Sequence, residues 1–246
     1  MSALIYSPVV SLHKKQSGNF SAFIAREQDF NGLMSPVLGF DHFRLTGDVF
    51  GPHRHAGISA LSYIFEDSTP FHNQDSMGTD LTISPGSLLW TWAGNGVIHH
   101  EYPVKNDGKI HGLQLFLDIP EANKPLPPKS LYIPVTDMPV LSAAGISVKV
   151  VSGISGQAIN VAETPDPLTL LDVSMEPSRD FEHRLPAGWN GTVYILSGKI
   201  IFGGTAFFEL KDNEAISFGA ATSEQIVSFT AITGSRFLLI SGPVRK

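Results

Sequence analysis

Short apolar runs that alternate with polar residues, cut by turns, leave this 246-residue chain little room for anything but β-structure. The runs are LSYIF at 61–65, LTISPGSLLWTW at 81–92, GLQLFLDIP at 112–120, LTLLDVSM at 168–175, TVYILSGKIIF at 192–202, EAISFG at 214–219 and SRFLLISG at 235–242. No window of a dozen residues carries a helical stripe. The 23 Gly and 17 Pro are spread evenly, as many short strands joined by turns require. The expected fold is all-β.

Residues 120–139 hold six prolines in a polar stretch. Proline cannot donate to a sheet ladder, so this segment reads as a connection between two halves of similar size. The expected division is a domain over 1–125, a linker over 126–139 and a second domain over 140–246. The halves rhyme weakly: each has a strand ending in a Tyr-Ile pair, Tyr63-Ile64 and Tyr194-Ile195, with a hairpin after it. Two consecutive antiparallel barrels or jelly rolls account for that rhyme.

With 42% hydrophobic and 16% charged residues the chain is built to bury a core. Its net charge of −6, with no Lys/Arg cluster, argues against direct nucleic-acid binding. No apolar run approaches the roughly 20 residues of a membrane helix, and the amino terminus lacks the pattern of a signal peptide, so a cytoplasmic protein is expected. The absence of cysteine removes disulfides, thiolate ligands and cysteine nucleophiles together.

Six of the nine histidines lie between 53 and 111, and two groups stand out: His53-Arg54-His55 and His99-His100-Glu101. Strand residues i and i+2 share a face, so His53 projects with His55 and His99 with Glu101, while His100 points away beside Ile98 and Tyr102. Without a bulge the face of His53 and His55 continues through Leu61, Tyr63 and Phe65 as a barrel interior. Three imidazoles and a carboxylate converging there form a site for a divalent ion: Fe(II), Mn, Co, Ni, Cu or Zn. Each pair alone is weak, since roughly 0.3 His-x-His are expected by chance at this composition, and a lone strand histidine is more often a hydrogen-bonded core residue. Both pairs falling beside Gly-rich turns of one half favours the metal.

Other candidates read as structural. Asp41-His42 and Glu182-His183 are expected on the surface, His111 in the core with Leu113, Leu115 and Leu117, and His72 in a hairpin that it fixes. Trp90 and Trp92 share a face and read as core rather than as a substrate platform. There is no P-loop, dinucleotide fingerprint or Gly-x-Ser-x-Gly elbow.

The ordered segments GFDHF (39–43), PHRHAG (52–57), YIFEDSTPFHNQDSMG (63–78), ISPGSLLWTWAGNGVIHHEYP (83–103) and HGLQLFLDIP (111–120) resemble the pirin family of the cupin superfamily. The resemblance implies a bicupin whose amino-terminal barrel holds one metal ion, Fe(II) first, on His53, His55, His99 and Glu101. It also implies an activity like quercetin 2,3-dioxygenase, in which a flavonol-like enolate is opened by O₂ with release of carbon monoxide. Glu101 would then be both ligand and catalytic base for the 3-hydroxyl proton. The partners implied are a small aromatic or enolic substrate and O₂. Some relatives instead regulate protein partners, and a cupin acting on another small metabolite is a further alternative. Two departures stand out. The usual His-Pro-His-Arg-Gly is His53-Arg54-His55-Ala56-Gly57, and the second half has Leu185-Pro186-Ala187-Gly188 where a His-x-His would fall, which implies a carboxy-terminal cupin without ligands.

Overall fold

The computed structural model describes residues 3–204, 206–219 and 221–245, whose regular structure is antiparallel strand apart from three single-turn 3-10 segments. They form two compact units, one of residues 13–25 and 37–137, the other of residues 3–12, 26–36 and 138–245.

Each unit pairs a large sheet with a four-stranded one. In the first unit the large sheet runs Lys129–Ile133, Leu88–Trp92, Ile58–Ile64, Lys109–Asp118, Val37–Thr46, Phe20–Arg26, Lys14–Ser17, and the small one His53–His55, Val97–Pro103, Phe71–Asp75, Asp80–Ile83. The second unit repeats that order with Ile5–Tyr6, Glu214–Gly219, Trp189–Ser197, Ser235–Pro243, Thr169–Met175, Ile146–Ser152, Val140–Ala143 and, in its small sheet, Asp180–Leu185, Gln225–Ala231, Lys199–Gly203, Phe207–Lys211. Two copies of one jelly-roll wiring establish the bicupin, and they turn the weak Tyr-Ile rhyme into a strand-for-strand repeat.

The units are not contiguous in sequence. Ile5–Tyr6 and Val10–Ser11 both pair with Glu214–Gly219, so the amino-terminal segment completes the sheet of the second unit. The equivalent edge of the first unit is taken by Lys129–Ile133, paired along Leu88–Trp92. That strand lies inside the stretch expected as linker. Its prolines, at 127, 128, 134 and 139, lie outside the strand instead of interrupting it, and an edge strand needs only half its ladder groups.

Each unit has its own apolar interior. In the first, Phe43, Leu45, Ile64, Phe71, Ile83, Leu89 and Ile110 form a buried cluster. In the second, Phe202, Phe218, Phe229 and Phe237 are fully buried, and Phe229 packs 4.8 Å from Phe237 and 5.2 Å from Phe202, centroid to centroid. Trp90 and Trp92 are also buried, as expected of core residues. Among the described residues, no helix is long and apolar enough to cross a membrane.

Candidate metal centre

The turn that launches the second histidine strand depends on glycine. Gly94 has φ +50°, and a Cβ there would collide with the Leu126 carbonyl; Gly96 has φ +140°, and a Cβ would strike the Arg54 guanidinium. Arg54 in turn donates from Nη2 to the Asn95 carbonyl at 2.9 Å, and the Gly57 amide donates to the Gly94 carbonyl at 2.7 Å. These contacts tie the ends of both histidine strands together.

Antiparallel pairing then sets His99 opposite His53 and Val97 opposite His55. The three imidazoles each present a nitrogen within 4.8 Å of the others, with ring centroids 4.5 to 4.9 Å apart. Glu101 is not a member of that close group; it lines the adjoining cavity together with His53 and His55. The cavity's other walls are Phe20, Asp41, Phe43, Leu45, Phe50, Phe71, Gln114 and Phe116.

His53 Nδ1 lies 3.0 Å from the Gly51 carbonyl, so it carries the ring proton and leaves Nε2 as a bare lone pair. That lone pair faces His99 Nε2 at 3.1 Å. Burial lowers the pKa of His99 to about 3, assisted by the charges of His53 and His55. Burial, then His53, lowers that of His55 to about 4. Both rings are therefore neutral donors at pH 7. His99 Nδ1 is buried without a hydrogen-bond partner. Without a cation, a proton must separate the two facing Nε2 atoms; a divalent ion satisfies the same lone pairs. Neutral imidazoles with a carboxylate beside them fit a mid-row dication.

Burial pushes Glu101 up to about 7, against the opposing effect of its bond from Ser62. Ser62 Oγ lies 2.8 Å from Glu101 Oε1 and 3.0 Å from Gln114 Oε1. One hydroxyl carries one proton, so an ionised Glu101 claims it. A protonated Glu101 can donate to Ser62, which then turns to Gln114.

Ser62 exposes an error in the expected strand phase. It faces the site, so Leu61, Tyr63 and Phe65 lie on the opposite face and do not continue the face of His53 and His55. The turn at Gly57 (φ +72°) separates His53–His55 from Ile58–Ile64, and the two strands belong to different sheets. Periodicity does not carry across such a corner.

His100 points away as expected, with Nε2 2.8 Å from Asp48 Oδ2 and its ring 4.6 Å from Tyr102. His100→Ala should therefore retain at least nine-tenths of the wild-type metal content by elemental analysis; loss of the metal would refute this orientation.

His72 bridges its hairpin, reaching Asp80 at 2.9 Å. His111 is half-buried, with Nδ1 2.6 Å from Asp67 and Nε2 2.7 Å from His42. The two pairs expected on the surface divide. Glu182 is exposed, but Asp41 lines the cavity, His42 is half-buried and His183 is buried. Adjacent strand residues face opposite sides, and in a closed jelly roll one of those sides is the interior.

Sequence reasoning missed Ser62, Gln114 and the phenylalanine wall. Gln114 and Phe116 alternate with the apolar face of Leu113, Leu115 and Leu117, which was the available signal for them.

The Pirin family profile matches residues 14–117, and the profile of the pirin C-terminal cupin domain matches residues 170–245. Human pirin is 29% identical over 241 residues, covering 96% of this chain and 82% of that protein. The crystal structure of GK1651 from Geobacillus kaustophilus has 27% identity and a TM-score of 0.87, over 98% of this chain and 96% of that one. A quercetin 2,3-dioxygenase from Acinetobacter baumannii, at 21% identity, shares the fold with a TM-score of 0.84 over 99% and 88% of the two chains. Successive profile matches in both units, on a duplicated jelly roll shared end to end with these proteins, establish that the chain belongs to the pirin family of the cupin superfamily.

Proposed function

We propose that the first unit holds one divalent metal ion, iron(II) by preference, on His53, His55, His99 and Glu101, and opens a flavonol-like enolate with O₂ in the manner of quercetin 2,3-dioxygenase. The observation that carries this reading is the convergence of three imidazole donors at the polar end of a phenylalanine-lined cavity that also contains a carboxylate. The fold shared with a quercetin 2,3-dioxygenase supports it.

The ion would supply a Lewis-acidic seat for the enolate oxygen and redox access to O₂. The protein's own residues do the rest. Glu101, which lines the cavity beside His53 and His55, takes the hydroxyl proton. Ser62 holds Glu101 in place. The Gly51 carbonyl fixes the His53 tautomer, as outer partners of ligating histidines do. Phe43 and Phe71, both buried, keep water from the ring carbons. With one O₂ consumed per enolate, both oxygen atoms enter the organic product as the ring carbon between the new carbonyls leaves as carbon monoxide.

The test is anaerobic iron loading followed by oxygen-electrode assays with quercetin and with a single-ring 3-hydroxy-4-pyranone. The expected result is metal-dependent O₂ uptake with an enolate, reduced about 10²- to 10⁴-fold in Glu101→Ala. Iron-loaded protein that consumes no O₂ with either compound would overturn the dioxygenase reading.

A further inference from the structure

The cavity beside the three imidazoles has a volume of about 160 Å³. An apolar cavity of about 150 Å³ accommodates a single benzene ring, whereas a flavonol carries three rings. Its walls do not widen easily. Phe43, Leu45 and Phe71 are each less than 5% exposed. They stand on strands Val37–Thr46 and Phe71–Asp75, which are paired with their neighbours along their length. Phe116 closes the side next to His55, ring centroids 6.2 Å apart. At the rim Phe20 meets Phe50 edge-on at 5.0 Å, and Phe50 is 54% exposed, so the cavity opens to solvent beside it.

The polar groups are as unevenly placed as the apolar ones. His53, His55 and Glu101 supply polar groups, and Ser62 joins Glu101 to Gln114, which stands opposite Asp41 on the paired strand. The remaining lining side chains are apolar. A ligand matched to this shape has two adjacent oxygens toward the imidazoles and one ring among the phenylalanines. A further polar substituent would reach Asp41 or Gln114.

Resting on the function proposed above, we infer that the substrate is a single-ring enolate chelator, such as a 3-hydroxy-4-pyranone. A flavonol presents the same chelating oxygens but leaves two of its rings outside a volume of about 160 Å³. The full-length chain loaded with zinc, which binds without redox turnover, allows binding to be read apart from activity. By titration calorimetry, 3-hydroxy-2-methyl-4-pyranone should bind about tenfold more tightly than quercetin, although apolar area alone would favour the larger molecule. Phe116→Ala, which opens one wall, should bring the two affinities to within about twofold. Parity or a preference for quercetin in the wild-type protein would overturn the single-ring inference while leaving the enolate-binding site intact. Binding of neither compound, or binding that is unchanged when the metal is removed, would overturn both.

Discussion

His99→Ala is expected to yield a folded protein that does not retain metal through desalting. Apparent binding energies of four-donor zinc sites are about 10–16 kcal/mol, or roughly 3 kcal/mol per donor, so losing one costs on the order of 100-fold in affinity. His99 is the ring to remove because it is the most buried of the three and lies against both others. The same substitution gives up the His99–His53 hydrogen bond and leaves a cavity, a cost of about 2 kcal/mol to the apo fold, offset in part by removing a buried nitrogen without a partner. Metal content by elemental analysis, beside a thermal melt of the apo protein, separates the two effects. Full occupancy in His99→Ala would remove the histidine cluster as the metal site. Glu101→Ala should lose less, since its carboxylate stands outside the closest group of donors.

The largest expected effect on stability is in the other unit. Asp172 is 5% exposed and receives two bonds from Arg236, Nε to Oδ1 at 2.8 Å and Nη2 to Oδ2 at 2.5 Å. Lys149 is its directly paired neighbour on the adjacent strand. Burial lowers the Lys149 pKa and the Asp172 charge works against that shift. Asp172→Ala therefore removes the anion that serves two partly buried cations. Breaking such a pair from one side costs about 3–5 kcal/mol, which at about 2–4 °C per kcal/mol lowers Tm by on the order of 10 °C. Asp172→Leu with Arg236→Met, which removes the ion pair but leaves Lys149 without the Asp172 charge, should recover part of the loss. If Asp172→Ala melts within about 2 °C of wild type, the pair contributes little and solvent reaches the site more freely than its burial implies.

The sharing of one strand face by His53 and His55, and of another by His99 and Glu101, was legible because a strand has a period of two. His-x-His and His-x-Glu each commit a pair of side chains to one face wherever the strand lies, and the order of the surrounding segments carries the family. Leu61, Tyr63 and Phe65 were misplaced for the same reason the histidines were not. Parity holds within a strand and is lost at a corner, and the Gly57 turn is a corner. The linker was misread because counting prolines across 120–139 ignores the five proline-free residues Lys129–Ile133, enough for an edge strand.

The local pattern by itself determined the all-β class and the placing of His53 with His55, and of His99 with Glu101, on shared strand faces away from His100. Each of these follows from which side chains share a strand face, information held within a few neighbouring residues. Tertiary structure alone decided that His53 lies opposite His99, that Ser62 reaches Glu101 and that Lys129–Ile133 and Ile5–Tyr6 occupy equivalent edges. It also set the size of the phenylalanine-lined cavity. These depend on register between strands far apart in the chain, which is settled by which pairings bury the most apolar surface and satisfy the most backbone groups at once.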